Sequence, residues 1–292
     1  MQTNLPIDTS DPRVRDYLTL VRLQVLTPLS LAANIVTILI CSIVVNPSIR
    51  EVEQKYPSSI SPHPWLIAIY ILLLYVGQLG YCLLLVLAQK QQTKETIIKG
   101  VGYPLVLANF VMAAWAITWV FEWFIASTIL LGILVVLLIY PNVAILTTHP
   151  PELKKRPFDV AFIHAPLRFF LVLPLTVMFP YSLFVTLGLT WKPNHPEHST
   201  DDQWIGFGVM FAANLIGLIV ILARRDFVWC VASVWINVAI WSTGTKPRPI
   251  LILGILFMVL HPIALAGVLW WRQQMGRREG RIRLSENDTP EA

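Results

Sequence analysis

From Gly100 to Pro151 the chain carries a single charged residue, Glu122, inside the run FVMAAWAITWVFEWFIAST at positions 110–128. As one helix, residues 100–148 would be about 70 Å long at about 1.5 Å per residue, more than twice the ~30 Å hydrocarbon core of a bilayer. Divided at Glu122, the same stretch gives two uncharged segments, each long enough to cross. A carboxylate at mid-bilayer costs roughly 2.5–3.5 kcal/mol on insertion scales. At a turn on the membrane surface that cost largely disappears, and Trp119, Trp123 and Phe124 are the aromatic residues expected at that level. Glu122 is therefore read as a turn between two membrane spans.

The rest of the chain repeats the pattern. It is 55% hydrophobic and only 13% charged, about half the charged fraction with which a soluble domain covers its surface. Apolar runs lie near 25–45, 65–88, 100–121, 125–148, 165–190, 204–223, 227–242 and 249–271. They predict an all-α, polytopic transmembrane helical bundle with eight spans. The run at 227–242 is the shortest, and a re-entrant segment is the other reading of it. Basic residues test the topology. With eight crossings, seventeen of the 22 Lys and Arg fall on the side of the two termini and five on the opposite side. Cytosolic loops are the ones enriched in Lys and Arg, so both termini are expected in the cytosol.

No domain-sized linker interrupts the runs. The expected organisation is a cytosolic N-terminal segment at 1–24, a five-span bundle at 25–190, three further spans at 191–271, and a tail at 272–292, basic then acidic, expected to be disordered in the cytosol. The first 24 residues carry both signs of charge and lack the basic start and immediate apolar core of a secretion signal, so the first run is expected to stay as an anchor. Cys41, Cys82 and Cys230 all fall inside apolar runs and are read as free, buried thiols. The outer loop at 46–64 is rich in Pro and Ser, which predicts an ordered, turn-rich loop or lid. In the outer loop at 191–204, His195 and His198 stand near Glu197, Asp201 and Asp202. That spacing suits Zn²⁺, but a solvated acidic loop is the simpler reading and no metal site is assigned.

Several polar residues lie at membrane depth: Asn34, Gln78, Asn109, Asn214 and His261. Such groups face the bundle interior and find partners there. They serve interhelical hydrogen bonding or, with the tryptophans, line a mostly apolar small-molecule pocket. Trp115, Trp119 and Glu122 share one helical stripe. Trp229, Ser233, Asn237 and Trp241 form a second ladder. Pro166, Pro174 and Pro180 are expected to bend the fifth span and Pro262 the eighth. Gly77 and Gly80 look like close-packing positions. Arg168 is expected to snorkel toward the cytosolic headgroups, with an anionic ligand group as the other reading.

The order SPHPWLIAIYILLLYVGQLGY, VLANFVMAAWAITW and HAPLRFFLVLPLTVMFP resembles the translocator protein/tryptophan-rich sensory protein family over roughly residues 25–190. The remainder, with ARRDFVWCVASVWINVAIW, is similar to the extra three spans of longer members, and the whole chain resembles a group of fungal multi-pass membrane proteins. The resemblance implies a pocket under the first outer loop for planar amphipathic molecules, tetrapyrroles or sterols. The positions it points to are Pro62, Pro64 and Trp65 in the loop, Asn109, Trp115 and Trp119 in the third span, and Pro166 in the fifth. The family's Trp-x-Pro-Pro motif appears here only as Ser-Pro-His-Pro-Trp.

Three functional classes follow. A membrane receptor or sensor for a hydrophobic or amphipathic small molecule agrees with the tryptophan-rich spans and the resemblance. A carrier of a hydrophobic solute is the alternative, since ion carriers hold ionisable groups at the midplane and only His261 qualifies here. A structural or assembly protein without ligand is the third. An enzyme is not expected, because no H-E-x-x-H, G-x-S-x-G or paired intramembrane aspartates occur. Expected partners are membrane lipids and a hydrophobic small molecule, with a homo-oligomer left open. Nucleic acid is not expected, because the net charge of +5 is accounted for by orientation in the membrane.

Overall fold

The computed structural model describes residues 11–148, 156–191, 199–243 and 246–287. The outer-loop histidines His195 and His198, the basic pair Lys154-Lys155 and the start of the chain lie outside the described residues. Among the described residues every regular element is helical. In chain order they are α1 (Pro12–Ile43), α2 (Ile49–Lys55), α3 (Pro64–Leu87), α4 (Gln91–Val120), α5 (Phe124–Thr148), α6 (Pro157–Thr186), α7 (Ser199–Arg224), α8 (Phe227–Trp241) and α9 (Arg248–Asn287). α1 thus begins upstream of the apolar run that announces it.

Seven of these helices, α1, α3, α4, α5, α6, α7 and α9, are long and apolar enough to cross a membrane. The eighth run forms α8, whose 15 residues span about 22 Å, less than the ~30 Å core. Its ends are set by local chemistry. The carboxylate of Asp226 accepts from the Trp229 N–H at 3.0 Å, an N-cap that starts the helix immediately after α7. Arg225 takes the left-handed backbone (φ 55°) that reverses the chain between the two.

Glu122 is the turn that its isolation predicts. α4 ends at Val120 and α5 begins at Phe124, with Glu122 in the left-handed region (φ 57°). Trp123 N–H donates to Thr118 O at 2.9 Å and Glu122 N–H to Trp119 O at 3.0 Å, the two bonds that close a helix in a Schellman motif. A non-glycine residue in this conformation costs about 1–2 kcal/mol. The Glu122 carboxylate is tied to the outer loop, accepting from Lys55 Nζ at 2.7 Å and Tyr56 Oη at 2.9 Å. The lysine bond holds the carboxyl below its ordinary range, so this tie is present at neutral pH and is lost as pH falls through that lowered value.

α4 and α6 form the interior, each about 61% buried over its apolar window against 28–39% for the other spans. α1 and α5 flank α4, while α6 touches α3, α5 and α8. The expected proline bends take a definite form in α6. It contains two π-helical stretches, Val160–His164 and Pro174–Met178, where missing proline N–H groups loosen the regular ladder. Gly80 lets α3 and α6 meet: a Cβ there would lie 2.0 Å from the Phe162 ring, and one on Gly77 would lie 3.0 Å from Pro166 Cβ.

The deep polar residues pair across helices. Asn34 Nδ2 donates to Asn109 Oδ1 at 2.9 Å, and Asn109 Nδ2 donates to Gln78 Oε1 at 3.0 Å, stitching α1, α4 and α3. Asn237 Nδ2 donates to Asn214 Oδ1 at 2.7 Å, and a His261 ring nitrogen meets Asn214 O at 3.1 Å, which joins α7, α8 and α9. Arg168 corrects its expectation. It is 1% exposed and does not reach the headgroups. Its Nε donates to Asp226 Oδ2 at 2.6 Å and its Nη1 donates to Asn142. A snorkelling arginine needs an open path along the helix, whereas α6 is enclosed by α5 and α8 at this level. A counter-ion within the protein takes the place of lipid phosphate.

Candidate functional site

The loop between α1 and α3 begins with a helix that its sequence encodes. Ser48 caps α2, with Glu51 N–H donating to Ser48 Oγ and Ser48 N–H donating to Glu51 Oε2 at 2.7 Å. This reciprocal Ser-x-x-Glu box fixes the first turn. The loop then lies across the bundle and is fastened on every side. The Tyr181 hydroxyl of α6 donates to Tyr56 O at 2.7 Å, Trp191 N–H donates to Pro57 O at 2.7 Å, and His63 N–H donates to Ala239 O of α8 at 2.7 Å. Lys246 Nζ donates to Ser58 O at 3.0 Å, and burial lowers its ammonium to about 7. On α7, a Cβ on Gly206 would lie 2.2 Å from Ser59 Oγ, so only glycine leaves room for the loop there.

Beneath this loop lies a cavity of about 270 Å³. Its walls come from α1 (Ile38, Ser42), α2 (Ile49, Arg50, Glu53), α3 with the link before it, α4 (Met112, Trp115) and α6 (Leu173, Met178). Of the residues singled out from the sequence, Pro62, Pro64, Trp65 and Trp115 line it. Trp65 stands at the edge, 67% exposed, while Trp115 is buried and its indole N–H has no hydrogen-bond partner among the described residues. The other three lie elsewhere. Asn109 belongs to the polar stitch with Asn34 and Gln78, one helical turn deeper than Met112 and Ile38. Trp119 stacks on Trp115 at 6.0 Å between centroids and meets Tyr181 at 5.5 Å and Phe124 at 5.4 Å, so it backs the cavity wall. Pro166 packs against Gly77 where α3 and α6 touch.

Two charged lining residues, Arg50 and Glu53, are missing from the sequence-based set. The capping box at Ser48 and Glu51 was the available signal: it announces a helix, and a helix puts residues three apart on one face. Glu53 is partly buried, and burial pushes its carboxyl up to about 7, against the opposing pull of Arg50.

A family model described as TSPO-like protein matches residues 24–269. The chain belongs to this TSPO-like family. The match runs from α1 into α9, past the five spans that carry the resemblance and through the additional helices, and it makes the chain an integral, multi-pass membrane protein. No curated protein and no solved structure matches. The cavity therefore rests on the geometry of this TSPO-like chain alone.

Proposed function

We propose that this TSPO-like chain is a membrane receptor or sensor that holds an amphipathic small molecule under its outer loop. The observation that carries the reading is the meeting of Pro62, Pro64, Trp65 and Trp115 on one cavity, apolar apart from Arg50, Glu53 and Ser42. Small-molecule sites have that character, an apolar and aromatic lining with a few placed polar groups. The Asn34–Asn109–Gln78 hydrogen bonds cross the bundle on the far side of the cavity from the loop, which favours a receptor over a carrier, since a carrier needs a path to the other side.

Of the two ligand types that the resemblance implies, the lining suits a sterol-like body better than an iron tetrapyrrole. About 270 Å³ lies just under the ~300–1,000 Å³ of ordinary ligand sites. Among the described residues the lining also has no imidazole, thiolate or phenolate to hold an iron. A planar macrocycle requires the loop to lift.

The proposal includes eight crossings with both termini in the cytosol. α8 supports it through its ends. It starts at Asp226, paired with Arg168 of α6, which lies about 27 Å below the outer end of that helix at Thr186. It finishes against the outer loop, where Ala239 O accepts from His63. Short as it is, α8 runs between the two levels that the longer helices bridge.

Energy transfer from tryptophan to a fluorescent sterol tests the pocket. Saturable transfer is expected in the natural chain. The variant Ala68→Phe changes an exposed lining residue and fills the cavity, and it should weaken binding by at least about tenfold, or 1.4 kcal/mol. Transfer that never saturates, or that ignores Ala68→Phe, counts against the reading.

A further inference from the structure

Within the cavity the charged groups are unequal. Among the described residues, Arg50 and Glu53 are the only charged ones of the lining. Arg50 is exposed and its long side chain reaches water, whereas Glu53 is partly buried and its backbone is fixed. Val52 beside it is fully buried, and the Tyr181 hydroxyl donates to Glu53 O at 3.2 Å and to Tyr56 O at 2.7 Å. Two residues on, Lys55 is pinned to Glu122. These contacts fix the α2 backbone, so that Glu53 keeps its place in the lining. Among the described residues that carboxyl has neither a hydrogen bond nor a salt bridge. A carboxylate partly buried in an apolar lining without a hydrogen-bonded partner is costly, and Arg50, whose charge opposes the effect of burial, forms no salt bridge with it of the kind that Arg168 forms with Asp226.

Resting on the receptor reading above, we infer that the ligand is a cationic amphiphile: an apolar body bearing a basic amine, whose ammonium pairs with the Glu53 carboxylate. The two tryptophans of the same lining, Trp65 and Trp115, offer the indole faces that favour cations most among aromatic rings. An anionic head meets Arg50 only by approaching Glu53, with like-charge repulsion. A neutral hydroxyl leaves the carboxylate without compensation.

The inference carries a pH dependence. An alkylamine, like a lysine, stays protonated to about pH 10, so the titrating partner is Glu53, which ionises around 7. The groups facing it are Arg50 on the same helix and the Tyr181 hydroxyl from α6. Glu51 and Lys55 are engaged with Ser48 and Glu122. Amine affinity should rise as pH passes upward through that value, while a neutral ligand should show no such rise.

The test uses the full chain in nanodiscs of zwitterionic lipid, with empty nanodiscs subtracted. A brominated long-chain alkylamine and a brominated alcohol of equal length serve as tryptophan quenchers. The expected result is saturable quenching by both, with the amine bound at least about tenfold more tightly near pH 8 and the gap narrowing near pH 6. Glu53→Gln should erase the gap at both pH values, and its melting temperature in the same nanodiscs reports whether the variant is folded. Arg50→Gln should tighten the amine. If the alcohol saturates but the amine has no advantage, or keeps it in E53Q, the cationic ligand is overturned and the pocket stands. If neither probe saturates, the pocket falls and the inference with it.

Discussion

Asp226→Ala is expected to lower the stability of the chain by about 3–5 kcal/mol, the loss seen when one partner of a buried ion pair is removed. The expectation follows from what would remain. Arg168 is 1% exposed, its Nη1 is already committed to Asn142, and its Nη2 has no partner among the described residues. Without Asp226 the guanidinium becomes an uncompensated charge at membrane depth. The alanine also removes the N-cap of α8, which costs about 0.5–2 kcal/mol on its own. Two further variants separate these effects. Asp226→Asn keeps an oxygen for the cap and removes the charge. Arg168→Met with Asp226→Leu removes both charges, and such apolar replacement of a buried pair is commonly neutral or stabilising. Thermal unfolding in detergent should therefore rank D226A lowest and D226N next, with the double variant below the natural chain by no more than the cost of the lost cap. A double variant as unstable as D226A would mean that the pair itself, and not the orphaned charge, holds α8 against α6.

Trp119→Ala is expected to cost about 3–5 kcal/mol, in the range for truncating a large buried aromatic. Trp119 is 1% exposed and touches three other rings. In a membrane the unfolded reference is a set of helices in lipid, so transfer out of water contributes little and lost packing carries the loss. The same change at Trp115 should behave differently. Trp115 already borders the cavity, so Trp115→Ala extends an existing space, and its first effect should fall on ligand affinity. Comparing detergent melting with sterol energy transfer for the two variants checks this division. Equal stability loss for both would show that Trp115 is as much a part of the packed core as Trp119.

The sequence made the helical hairpin at Glu122 legible because one carboxylate in an uncharged stretch has only one inexpensive place to sit. That α3 packs closely at Gly77 and Gly80 was legible too, since the two stand one turn apart, but that α6 is the helix it meets was not. Arg168 was not. Its counter-ion lies 58 residues away, and a lone arginine near a span end gives no sign of whether lipid or protein will neutralise it. The length of α8 was partly readable, because an aspartate ahead of an apolar run is an N-cap signal and Asp226 stands there. Four of the seven candidate site residues share the cavity and three do not, for a physical reason. Helical spacing tells which residues share a face of their own helix, but not which neighbour covers that face. Trp115 and Trp119 lie on one stripe, yet Tyr181 and Phe124 close over the second and leave the first at the cavity.

The proposed number of crossings underlies the outer location proposed for the pocket and the orientation proposed for the charged loops. The direct measurement is protease protection of epitope tags placed at the two ends of the chain, in sealed vesicles of known orientation. Eight crossings require both tags to be digested from the cytosolic face and both to survive from the other. One tag digested and its counterpart protected from the same face would leave an odd number of crossings and contradict the account.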